Sequence, residues 1–472
     1  MSPSKAIARL ASVPSPAAAP SAIACLALLA LPGAVGAQAR PLPDSLPRRA
    51  GADSAALSVD SLAARLARAE AAIALLREQL ANEAESAVKT RSRFRLDLTA
   101  RVITNVFTTV GRVNSHDVPI FVLARADTAA AAVGRGATGL TVRQSRIGAA
   151  MVVRDVLGGE FSGDVDLDFF GGVSNGPGDR RLFPEPRLRV TRAILRWDRS
   201  FVLVGSETPL VSDLNPVSAA AVGVPNFVAA GNLWNWLPQV RAGRDLGTTR
   251  VGGHAVTLGV QGAVLEPFTG VLPVGEVDAG DAGNRSRRPF LEGRLSLRTE
   301  GTEDAGDAEI ARGAEIGLGV HRGWVRTTAN RLDASRALTA DWRFPLSRWA
   351  ELRGEAYTGR LVRGLGGGGV AGSFGRPAPG TTVGPPIRDV AAWTQLNVQP
   401  HVTLIAGAGC GWDRADPDDR PTRRENTVCA AHTLWHPVQP VVLGLEFRWL
   451  RTRYEAGPEL ARHLNLALGF EL

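Results

Sequence analysis

Arg143 and Arg146, Arg189 and Arg192, and Arg241 and Arg244 form three arginine pairs in the middle of a 472-residue chain. Guanidinium groups gathered on neighbouring elements select anions and grip carboxylate or phosphate oxygens through two parallel hydrogen bonds. Between the first two pairs, Asp164, Asp166 and Asp168 recur at every second position. They offer the other outcome, in which arginine and aspartate neutralise one another in a solvated interior. Both outcomes require the side chains to share a face. Glu160, Ser162, Asp164, Asp166 and Asp168 alternate with Phe161, Val165, Leu167 and Phe169, which is a strand with one charged and one apolar face. Arg189 and Arg192 are three apart, so a regular strand cannot aim both the same way. A bulge or a strand end must intervene.

Other chemistry finds less support. Of the seven histidines, His401 and His436 fall at short turns, His116 in a loop, and His254, His321, His432 and His463 stand isolated. None joins a recognisable serine–histidine cluster, so an enzyme is not expected. His432 and His436 share a four-residue spacing on a strand end, where that step does not build one metal-binding face, and neither a metal nor a cofactor is expected. Nucleic-acid binding is not expected either, because the arginines are spread over alternating positions without a basic, aromatic-interleaved patch. Cys25 lies in the leader, leaving Cys410 and Cys429, a candidate disulfide that flanks a loop holding Asp413, Asp416, Asp418 and Asp419.

The elements that must position these residues are strands. Apolar and polar residues alternate in sixteen segments, near 93–107, 139–154, 159–170, 187–199, 200–208, 239–247, 253–265, 290–300, 312–322, 336–345, 348–361, 388–399, 400–411, 424–436, 438–452 and 459–472. The last ends in Leu464, Leu466, Leu468, Phe470 and Leu472. Such a greasy terminal strand is an aggregation hazard unless it closes a barrel against the first strand. An even strand number, long connections such as 171–186, 209–238, 266–289 and 362–387, and tight turns opposite them predict a 16-stranded antiparallel transmembrane β-barrel over 93–472. Trp197, Trp342, Trp349 and Trp435 near the short turns, and Trp324 and Trp412 near the long loops, predict two interfacial belts. The 209–238 connection is mostly small and apolar, with Asp213 its sole carboxylate. It is long enough to fold inward and narrow the lumen, with Trp234 and Trp236 packed within it.

Ahead of the barrel, Lys5 and Arg9 precede the apolar run 22–31 and an A-x-A site at 37–39, which reads as a signal peptide over 1–39. A flexible Pro- and Ala-rich linker follows at 40–57. Over 58–88, Val59, Leu62, Leu66, Ala69, Ile73, Leu76 and Leu80 recur at steps of three and four, predicting a coiled-coil helix on the periplasmic side and a homotrimer. The formal charge is +8; Lys5 and Arg9 leave with the leader, and the remaining +6 attracts anions only mildly.

The order of parts resembles the DcaP-like trimeric outer-membrane porins. Gly111, Arg112, Asn114, Ser115, Asp117 and Pro119 look like that family's first-loop segment. The run Arg143-Gln144-Ser145-Arg146-Ile147-Gly148 is similar to its second-strand signature, and Leu188, Arg189, Arg192 and Ala193, closed by Trp197, to its fourth strand. Leu472 stands where such barrels commonly end in an aromatic residue, and the fourth strand lacks the family's histidine. The resemblance implies an outer-membrane channel, in contact with membrane lipid, for passive diffusion of small hydrophilic solutes, with a preference for anions such as dicarboxylates. A non-conducting barrel that anchors the envelope or presents its loops is the alternative.

Overall fold

The computed structural model describes residues 94–125, 136–171, 184–218, 223–269, 280–301, 313–370 and 372–472. The leader, the linker and the coil fall outside them. In chain order the strands are β1 Phe94–Val110, β2 Gly136–Thr141, β3 Arg146–Val156, β4 Gly159–Gly171, β5 Glu185–Trp197 and β6 Ser200–Glu207. They continue as β7 Leu237–Val251, β8 His254–Leu265, β9 Phe290–Thr299, β10 Glu315–Arg326, β11 Leu332–Ser347 and β12 Ala350–Arg360. The last are β13 Arg388–His401, β14 Leu404–Ala415, β15 Glu425–Trp435, β16 Val441–Tyr454 and β17 Gly457–Glu471.

These strands form one antiparallel sheet in which every neighbour in sequence is a neighbour in space, and β17 returns to pair with β1. β2 and β3 both pair with β1, at 105–110 and at 94–101, so they are two halves of one stave. The result is a closed barrel of sixteen staves. At the seam Val102 faces Phe470 and Asn105 donates to Asn465 at 2.8 Å on the lumen side. Leu464, Leu466, Leu468 and Phe470 point outward and are about 40% exposed, whereas His463, Asn465 and Ala467 between them are buried. Period two has sorted the strand into an apolar outer and a filled inner face, the polarity of a membrane barrel.

Departures from regular strands decide where the arginines point. The second stave, expected to run unbroken over 139–154, is interrupted at 142–145. In β5 the register slips between Asp166 and Leu167 of the partner β4, so that Arg189 is the extra residue of a bulge. This lets Arg187, Arg189 and Arg192 all reach the lumen. No equivalent irregularity separates Arg241 from Arg244. Arg241 turns inward and is buried, while Arg244 takes the outward parity of Val240 and Ala242 and does not join the inner arginines.

Turns at 157–158, 198–199, 252–253, 348–349 and 402–403 close one end of the barrel tightly. The other end carries 208–236, 266–289 and 361–387, although its links at 327–331 and 455–456 are also short. Trp349 and Trp435 lie half exposed at the short-turn end, and Trp324 sits on the outer face near the long-loop end. Among the described residues no helix is long and apolar enough to cross a membrane.

Candidate pore constriction and its arginine ladder

The 208–236 connection leaves β6, crosses the lumen and returns to β7, held by side chains of the opposite wall. Ser212 Oγ and Leu233 N both donate to Glu355 of β12, at 3.0 and 3.5 Å, and Trp393 Nε1 donates to the same carboxylate at 3.1 Å. Val217 and Gln395 of β13 exchange two hydrogen bonds, N–H to Oε1 at 2.8 Å and Nε2 to carbonyl at 2.9 Å. Ser218 and Asn226 donate to Glu446 of β16. Small apolar residues in the loop make this crossing possible by packing against the wall without clashes. Leu210, Val211 and Leu233 pack with Leu265, Phe290 and Tyr357, and Phe227 stacks on Trp393 with ring centres 5.7 Å apart. Gly231 has φ +108°, and a Cβ there would come within 2.4 Å of the Ala392 carbonyl carbon, so the loop's closest approach to β13 requires glycine.

The other wall, β3 to β5, carries the arginines and aspartates as a ladder. Arg146 pairs with Asp166, and Arg192 bridges Asp164 at 2.9 Å and Glu207 at 2.6 Å. Arg189 lies 3.3 Å from Asp166 and 3.4 Å from Asp168, and Arg187 lies 2.6 Å from Asp168. Asp168 is fully buried, so it is an internal counter-ion rather than a group facing open water. Arg189 is also buried, its guanidinium 4.4 Å from the ring centre of Trp236. Trp236 packs edge-on against Trp234 at 4.9 Å, so the loop's indoles cover the top of the ladder. Arg146 and Arg192 remain about one-third exposed.

Arg143 does not line the lumen. In the break of the second stave it donates from Nε and Nη2 to Asp117 of the first loop, with its guanidinium 4.3 Å over Phe170. Its neighbours complete a brace: Gln144 accepts from Gly223 N of the crossing loop at 2.8 Å, and Ser145 Oγ bonds both the N–H and the carbonyl of Ile103 in β1. Three consecutive side chains therefore tie the first loop, the crossing loop and the first stave together. This accounts physically for the Arg-Gln-Ser run and for the strand break it occupies.

Below the crossing loop, towards the short turns, lies a vestibule of about 840 Å³. Among the described residues, Arg192, Arg196, Arg241, Arg294, Arg298 and Arg343 turn into it, against Glu207, Asp213, Asp245 and Glu315. Behind them Asp341 holds Arg294 at 2.5 Å, so the positive excess is small. Asp213, near where the loop leaves β6, lies 3.6 Å from Arg241 and 3.8 Å from Arg294. Partial burial pushes its carboxyl up, but Arg294, Arg241 and Arg343 outweigh this and hold it below its ordinary value.

His321 is not isolated, as its place in the sequence suggested. Its Nδ1 meets Glu292 at 2.9 Å and its Nε2 meets Ser335 Oγ at 3.0 Å, across three adjacent staves. The row has the members of a hydrolytic triad but not its proton flow. Ser335 donates its hydroxyl proton to the Leu361 carbonyl at 3.0 Å, so that proton is not directed at the imidazole as a triad requires. All three are buried, with Phe290 edge-on to the imidazole at 4.9 Å. The row is a brace between β9, β10 and β11.

Cys410 and Cys429 face each other across β14 and β15 in mid-strand, with outward parity, and are joined by a disulfide. They lie several residues from the loop base rather than beside it.

No protein-family model matches the chain, and no curated protein matches it by sequence. Solved structures do match. The outer membrane channel DcaP of Acinetobacter baumannii superposes with a TM-score of 0.58 at 13% identity, covering 82% of this chain and all of that one. OmpT of Vibrio cholerae gives 0.47 at 8% identity, over 82% of this chain and 99% of that one. An anion-selective porin from Comamonas acidovorans gives 0.45 at 11%, over 80% of this chain and all of that one. The fold of this chain is thus that of the DcaP channel: a closed antiparallel barrel of sixteen staves.

Proposed function

We propose that this protein is an outer-membrane porin, a passive diffusion channel for small hydrophilic solutes with a mild preference for anions. The observation that carries the reading is the 208–236 loop, which crosses a closed barrel and leaves a charged vestibule beneath it. A barrel that served only as an anchor has no use for a polar interior ordered at this level. The fold it shares with an outer membrane channel supports the same reading. The small arginine excess favours dicarboxylates and other compact anions over cations without excluding neutral solutes. On this reading the short turns face the periplasm, the coil at 58–88 joins three copies there, and the outer wall meets lipid.

A second reading, a non-conducting barrel, draws on the two apolar clusters that pack the inward-folded loops against the β7–β17 wall. Current through purified protein in a planar bilayer separates the two. A porin gives discrete steps, and an anchor gives none.

A further inference from the structure

On the outer wall at the long-loop end, Arg322, Arg336, Arg360 and Arg388 stand directly opposite one another across β10, β11, β12 and β13. All four have outward parity, giving a straight row of like charges on adjacent strands. Cross-strand partners lie only ~5 Å apart at Cβ, and like charges there are destabilising unless something neutralises them. Arg388 has Asp416 at 3.0 Å and Asp419 at 2.9 Å, and Arg360 reaches Asp333 at 3.7 Å. Arg322 and Arg336 have no carboxylate partner among the described residues; Arg322 lies 5.4 Å from the ring centre of Trp324, which Arg288 approaches from 5.3 Å. Further round the wall Val390 faces Arg414, and that row continues through Glu425 to Arg453, where the glutamate lies 3.4 Å from Arg414 and separates the arginines. The unneutralised charge is therefore local to β10 and β11.

Two residues nearer the middle of each strand, the next outward row is Val320, Leu338, Thr358 and Val390. Val320, Leu338 and Val390 are 54%, 60% and 46% exposed. This apolar row lies ~7 Å from the arginines at the rise of a strand. Together the rows line a shallow groove of about 740 Å³ on the outer face. A basic shelf above an apolar floor matches an acyl chain below a phosphate, and an indole beside the shelf marks the interface level.

We infer that this groove is a binding site for a lipid bearing phosphomonoester groups, with Arg322 and Arg336 gripping the phosphate and Val320 and Leu338 receiving the chain. The inference rests on the membrane-barrel reading but not on conduction.

The test is native mass spectrometry and tryptophan fluorescence of the purified barrel with phosphatidic acid, lipid A, phosphatidylcholine and inorganic phosphate. The parent is expected to retain phosphatidic acid and lipid A, and neither phosphatidylcholine nor inorganic phosphate. Arg322→Gln with Arg336→Gln should weaken retention roughly thirtyfold, at about 1 kcal/mol per charge. Arg336→Lys should keep most of it. Equal retention of phosphatidylcholine and phosphatidic acid by the parent overturns the proposal, as does an unchanged affinity in the double variant. Saturation by inorganic phosphate alone would show an anion site without lipid and also overturns it. Bilayer current from the same double variant reports the porin reading separately and should be unaltered.

Discussion

Arg143 and Asp117 form an ion pair whose side chains are 7% and 1% exposed, joining the broken second stave to the inward-folded first loop. Asp117 also accepts from Ser115 at 2.7 Å, so its charge is fully committed inside the protein. Removing one member of such a pair leaves the other charged and dry, at a cost of about 3–5 kcal/mol. Arg143→Ala is predicted to lower the temperature at which the barrel loses its heat-resistant mobility on mild gels. The double variant Arg143→Ala, Asp117→Ala should lose less than the single. Equal losses would mean that the pair holds no loop.

The pair also marks where the sequence stops being informative. Strand number, the closing strand and the need for a bulge or a strand end between Arg189 and Arg192 were legible because they depend on spacing within one segment: alternate apolar residues, or two arginines three apart. The break at 142–145 carries no proline or glycine to announce it, and it is stabilised by Asp117, Gly223 and Ile103, each from a different part of the chain. The His321 row and the outer arginine row are equally non-local. His321 is 29 residues from Glu292 and 14 from Ser335, and nothing short of strand register brings them together. The partly buried state of the inner arginines had the same cause, since only the folded loop shows that Trp236 covers Arg189.

Asp213 sets a pH dependence. A carboxylate held below its usual value stays charged down to that lowered value, so its tie to Arg241 and Arg294 is complete above about pH 4 and lost as pH falls further. Conductance and selectivity should therefore be flat from about pH 8 to about pH 5, with noisier current and stronger anion preference only in stronger acid. Asp213→Asn is predicted to show the acid behaviour at neutral pH. A titration centred near neutrality in the parent would place control elsewhere.

Cys410 and Cys429 enclose a segment with a sequence separation of 19. Alkylation of unreduced protein followed by mass spectrometry should find both sulfurs blocked. Reduction is predicted to lower unfolding stability by roughly 3 kcal/mol on the chain-entropy estimate. Two alkylated thiols in unreduced protein would contradict the bond.

For the segment ahead of the barrel, the Val59 to Leu80 seam predicts a heat-dissociable trimer. Deleting residues 40–88 should weaken the trimer while leaving a folded barrel, read by gel mobility before and after heating and by light scattering in detergent. A monomer at every detergent concentration in the full-length protein would remove the case for the coil.

If ions and small solutes pass the crossing loop through a slightly cationic lumen, single-channel recording in a salt gradient will read both their passage and its sign. Arg146 and Arg196 reach water from the lumen wall, where a charge at ~4 Å is worth several times the ~1 kcal/mol it has in bulk. The parent should show discrete current steps with a reversal potential on the anion side. Arg146→Glu with Arg196→Glu should move it severalfold towards cations, an effect blunted near 1 M salt, where the Debye length is about 3 Å. Absence of any current step from folded, reconstituted protein would mean that the crossing loop closes the lumen and that the barrel is no porin.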